Sequence, residues 1–87
     1  MRCIYQNTNG VQTINWLYDG KNIYFEGVKL QNGMKDITNV NIRKLSGKDR
    51  FSIDFTMAYI PMNFINDFNT ETSELELIGL RIFGNCY

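Results

Sequence analysis

Phe51–Ile60 reads FSIDFTMAYI. Phe51, Ile53, Phe55, Met57 and Tyr59 alternate with Ser52, Asp54, Thr56 and Ala58. Successive side chains of a strand point to opposite faces, so this period of two predicts a strand with one face buried and one wet. A helix would scatter the same apolar residues around its circumference. The rest of the chain is read outward from this strand.

Upstream, short polar pairs punctuate the sequence: Asn9-Gly10, Asp19-Gly20, Asn32-Gly33 and Ser46-Gly47. Asn-Gly and Asp-Gly between apolar-rich runs signal hairpins, because a type I′ turn needs positive φ at both central residues. The expected strands lie at about 2–6, 12–18, 21–30, 35–45, 50–60 and 74–83. Each turn also fixes a register. A two-residue turn at Asp19-Gly20 sets Trp16 opposite Ile23 and Ile14 opposite Phe25. A similar turn at Asn32-Gly33 sets Ile23 opposite Ile42 and Phe25 opposite Val40. A loop at 46–49 sets Ile42 opposite Ile53 and Val40 opposite Phe55. Three separately chosen turns thus place Ile14, Trp16, Ile23, Phe25, Val40, Ile42, Ile53 and Phe55 on one face. The opposite face receives Asn15, Tyr24, Asn41 and Asp54 in one row, with Arg43 and Ser52 alongside. Val28 and Leu30 break the parity, which predicts a bulge near Gly27.

Downstream, Pro61 suits the first turn of a helix, and Met62, Ile65 and Phe68 recur at helical spacing. One short helix is therefore expected near 61–68. In the last strand Leu75 and Leu77 differ in parity from Leu80 and Ile82, so a second bulge is expected at Gly79. That strand is expected to pair with the first or to cover the sheet. The fold class is mainly β: an antiparallel meander of five to six strands, curved into a small barrel or half-barrel, forming one domain over residues 1–87.

Composition narrows the function. With 44 % hydrophobic and 21 % charged residues, the chain reads as globular rather than disordered. No apolar run approaches the roughly 20 residues of a helical membrane span, and no signal-peptide core is visible, so a cytoplasmic location is expected. The net charge is zero but divided: +4 over residues 1–50 and −4 over 51–87. Basic residues cluster only at Arg43, Lys44, Lys48 and Arg50, a small footprint for nucleic acid. The chain has no histidine, so Cys3 and Cys86 lack an imidazole partner for nucleophilic work or zinc ligation. They are read as buried or frayed free thiols, with a disulfide staple as the alternative if the first and last strands are neighbours. Glu74 and Glu76 share a strand face, which an acidic sheet edge explains better than a hydrolytic pair. Asp54 and Arg43 read as a diagonal cross-strand ion pair. No cofactor or metal is expected, and no enzymatic activity.

What remains is a binding surface. Tyr24 sits mid-face among Asn41, Arg43 and Asp54, with Lys44, Lys48 and Arg50 at the adjoining loop. Those seven residues are the candidate contact, and another protein is the expected partner, with a homodimer as the alternative. Eleven asparagines fit an AT-rich genome, and on that association alone the chain is expected to be a phage or mobile-element accessory protein that modulates a host enzyme. Alternatives are a virion or assembly subunit and an OB-like binder of single-stranded nucleic acid.

Overall fold

The structure is a computed structural model describing residues 1–8, 10–34, 36–47 and 49–87. Asn9 in an expected turn, Lys35 at an expected strand start and Lys48 at the candidate contact lie outside the described residues. Among those described, nine strands form one antiparallel sheet: β1 (Arg2–Asn7), β2 (Gly10–Tyr18), β3 (Ile23–Phe25), β4 (Val28–Lys29), β5 (Ile37–Lys44), β6 (Arg50–Met57), β7 (Ile60–Asp67), β8 (Thr72–Leu77) and β9 (Leu80–Cys86). Their order is β4-β3-β2-β1-β9-β8-β7-β6-β5. The first and last strands do pair, Cys3 opposite Cys86 and Tyr5 opposite Gly84. That seam joins two antiparallel runs into a single sheet, which curls into a half-barrel.

A sheet with one apolar face and no second layer must bury that face against itself. Ile14 and Trp16 on β2, Ile53 and Phe55 on β6, Phe64 on β7 and Leu75 on β8 are all buried. Trp16 meets Phe64 edge-on at 5.0 Å, Phe25 meets Phe55 at 5.4 Å, and Tyr18 meets Phe51 at 4.8 Å. Each contact bridges strands that are not neighbours in the sheet, and each such pair contributes about 0.5–1.5 kcal/mol beyond its buried area.

The anchor strand is β6, and Ile42 faces Ile53 as the loop at 46–49 requires. Other registers differ. Trp16 faces Phe25 and Tyr18 faces Ile23, because the β2–β3 loop holds four residues. Asp19 Oδ1 accepts the N–H groups of Asn22 (2.7 Å) and Lys21 (2.9 Å), which closes that longer loop. The bonds from Asn22 and Lys21 hold the Asp19 carboxyl below its ordinary value of 3.8. The slip is by two residues, so the same side chains still face inward. Val40 is displaced from Phe55 by a bulge between Thr38 and Asn41, where Asn39 takes φ 57°.

The expected β3–β5 pairing is absent. Glu26 (φ 52°) and Gly27 (φ 82°) form a two-residue reversal, not a bulge, and send β4 back along β3. Leu30 thereby returns to the interior, where it is buried. Gly79 also marks a reversal, with Leu77 opposite Leu80 around Ile78-Gly79. In place of the helix expected at 61–68 stands β7, paired with β6 on one side and β8 on the other. The inward set is Met62, Phe64 and Asn66 on the strand, with Phe68 just past its end, and helical spacing would have left the fully buried Phe64 outside it. Pro61 fits because its partner pair, Thr56, follows the pair that closes the turn. In that alternate position the missing N–H would point away from β6, past the end of β8.

Cys3 and Cys86 form a disulfide, which corrects the expectation of free thiols. Beside it runs a buried polar chain. Trp16 Nε1 donates to Tyr5 Oη (3.2 Å), Tyr5 and Ser73 hydroxyls are 2.5 Å apart, and Ser73 donates to Asn66 Oδ1. Burial pushes the Tyr5 hydroxyl above its ordinary value of 10.0 against the lowering effect of those bonds.

Two outcomes follow from the seam. A methyl group at Gly84 would lie 2.7 Å from the Tyr5 ring, which its hydroxyl bonds hold in place. Gly84→Ala should lower unfolding free energy by about 1–3 kcal/mol in urea titrations. The disulfide closes a sequence separation of 83 residues, so reduction should cost about 2–4 kcal/mol by the same assay.

Candidate functional site

A sheet that does not close leaves two free edges. One is β4, only two residues long; the other is β5, with eight. Proteins usually blunt such an edge, since its bare backbone groups invite another strand. Here the blunting is partial. Asn32 Oδ1 accepts the N–H of Val40 (2.8 Å), and the Gly33 N–H donates to the Ile37 carbonyl (3.3 Å). The segment after β4 thus covers the first half of β5.

The second half is open. Leu45 N–H donates to the Arg50 carbonyl at 2.8 Å, which marks that pair as hydrogen-bonded. Antiparallel pairs alternate, so Arg43–Ser52 and Asn41–Asp54 are bonded and the residues between them face outward. Ile42 and Lys44 therefore turn their N–H and C=O groups away from β6 to the free edge. Below that edge is a cleft of about 270 Å³ lined by Tyr18, Ile23, Leu30, Ile42 and Phe51, with Lys21 and Lys29 on the far wall. Ile42 is 37 % exposed there, although its parity is that of the core. Charge adds to the geometry. Among the described residues ion pairs form only between Arg81 and the carboxylates of Glu74 (3.7 Å) and Glu76 (3.8 Å). Lys21, Lys29, Arg43, Lys44 and Arg50 are exposed and have no such partner.

The expected contact surface divides. Asn41, Arg43 and Lys44 on β5 lie beside Asp54 and Arg50 on β6. Asp54 is held by the side-chain amide of Asn63 (2.7 Å), not by Arg43. Tyr24 is displaced from this group to β3, opposite Leu17 and Lys29, and its hydroxyl donates to Asp19 Oδ2 at 3.0 Å. A position beside Arg43 requires a β3–β5 pairing, which the Glu26-Gly27 reversal replaces. Lys21 and Lys29 were missed for the same reason: the far wall of the cleft exists only when β3 and β5 stand apart.

Other clusters hold less chemistry. Glu74 and Glu76 share Arg81 on the outer face. A cleft of about 420 Å³ near the β1–β2 and β8–β9 turns is lined by Tyr5, Asn7, Gln12, Leu75, Leu77 and Ile82, with no carboxylate or amine. Among the described residues no group of three or more histidine, cysteine, aspartate or glutamate side chains could hold a metal ion. No helix of the described residues is long and apolar enough to cross a membrane. No family model, curated protein or solved structure matches the chain.

One strained feature stands apart at the β6–β7 turn. Ala58 (φ 50°) and Tyr59 (φ 68°) both occupy the left-handed region that Asn-Gly would fill more cheaply. Tyr59 is 98 % exposed, so packing does not account for it. Replacing Ala58-Tyr59 by Asn-Gly should raise unfolding free energy by about 1–2 kcal/mol in thermal or urea melts. An unchanged or lower value would contradict a left-handed turn at this tip.

Proposed function

We propose that this chain is a small protein-binding module without catalysis of its own, which modulates a partner protein, such as a host-cell enzyme, by direct contact. The observation that carries this reading is the second half of β5. It is a bare edge on the strand that ends the sheet, and among the described residues it carries Arg43 and Lys44 with no carboxylate answering them. Such an edge is a template for main-chain pairing, and unpaired cations beside it select an oppositely charged surface.

The same edge suits the competing readings less well. Two copies joined β5 to β5 would bring like charges together, which opposes self-assembly. An aromatic–cation platform for single-stranded nucleic acid wants Tyr24 next to Arg43, and these stand on opposite sides of the cleft. The Cys3–Cys86 disulfide is of a kind that oxidising compartments preserve. A cytoplasmic site of action therefore requires the module to keep its fold with both thiols reduced.

Affinity capture from the source cell, read by mass spectrometry, tests the proposal. The wild-type chain should enrich one protein, and Arg43→Glu with Lys44→Glu should lower its recovery about tenfold while leaving circular dichroism unchanged. Enrichment of nothing, or equal recovery by the variant, would overturn it.

A further inference from the structure

The protein-binding reading leaves the form of the partner open, and the cleft narrows it. Resting on that reading, we propose that the cleft between β4 and the open half of β5 seats an extended segment of the partner, alternating apolar and acidic residues, as a tenth strand. Three observations converge. The backbone groups of Ile42 and Lys44 face the cleft in the alternation set by the bonded Leu45–Arg50 pair, so they offer two donors and two acceptors to a strand. The floor is apolar and aromatic: Ile23, Leu30, Ile42 and Phe51. The rim is cationic on both walls, with Lys21 and Lys29 on one side and Arg43 and Lys44 on the other.

A strand seated there would send alternate side chains to opposite faces. Those pointing inward meet the apolar floor, so they are aliphatic or aromatic. Those pointing outward pass between Arg43 on β5 and Lys29 on β4, so carboxylates are favoured and cations repelled. The inserted strand would also bridge the gap that the Glu26-Gly27 reversal leaves in the half-barrel. The segment between β4 and β5 already does this over the first half of β5, through Asn32 and Gly33. The vacancy begins where those bonds end. A second copy of this chain is a poor occupant, because its own exposed strand edge brings Arg43 and Lys44 rather than acids.

Panning a library of short random peptides against the full chain, followed by hydrogen exchange, tests the inference. Enriched peptides should alternate apolar and acidic residues. A synthetic copy should slow amide exchange at Ile42 and Lys44 about tenfold or more, and its affinity should fall about tenfold for Arg43→Glu. No enrichment, peptides without acids, or protection confined to other strands would overturn it. So would concentration-dependent dimerisation that protects the β5 edge, or oligothymidylate that displaces the peptide and loses affinity steeply with salt. If cell capture succeeds while no peptide seats in the cleft, this inference falls and the protein-binding reading stands. If capture also fails, both fall.

Discussion

Trp16 packs against Phe64, and the curl of the sheet turns on that contact. The two residues stand on β2 and β7, four places apart in the strand order, so they meet only if the sheet bends over its own apolar face. Around them Phe25 closes on Phe55, and Tyr18 on Phe51 and Phe68. The indole N–H is not left unsatisfied at the centre of this cluster. It donates to Tyr5, whose hydroxyl is held by Ser73 and through it by Asn66. One residue therefore joins the aromatic packing to the polar chain that crosses the seam between the first and last strands. A buried polar chain specifies one arrangement more sharply than apolar packing alone, because any other leaves several groups unpaired.

Much of this was legible in the chain. Inward parity at Ile14, Trp16, Phe25, Ile53 and Phe55 follows from simple alternation, and survives the two-residue slip at the Asp19 loop because strands repeat every two residues. Pairing with the first strand was one of two expectations for the last strand, but Gly84, Asn85 and Cys86, which make it, lie beyond the expected end at 83. The connections were harder to read. Glu26-Gly27, Ala58-Tyr59 and Ile78-Gly79 all make tight reversals with positive φ, yet none carries the Asn-Gly or Asp-Gly pair that advertises one. The parity breaks beside Gly27 and Gly79 were visible, but a bulge and a reversal restore parity equally well. At 61–68 the misleading residue is Asn66. A polar side chain on the buried face interrupts the alternation of Met62, Phe64 and Phe68, and its partner Ser73 lies on another strand.

The candidate site inherits those misreadings. Asn41, Arg43, Asp54 and Arg50 stand on neighbouring strands, as alternation implies, because the β5–β6 hairpin is local and its loop length fixes the register. Tyr24 was misplaced because its neighbours depend on a reversal two residues later. The cleft itself is a property of topology rather than of any motif. It arises because β3 turns back on itself at Glu26-Gly27, so β5 gains no partner on its outer side and the barrel stays open. An open edge leaves the buried core intact, since Ile42 on the cleft floor is already 37 % exposed. It does leave backbone groups that water, or another strand, must satisfy.

The account is tested most directly by nuclear Overhauser contacts in solution. It predicts contacts from the Trp16 indole to the Phe64 ring and between the α-protons of Cys3 and Cys86, with none between β3 and β5. Contacts joining Phe25 to Val40 across a closed ladder would contradict the open edge, and with it the site proposed there.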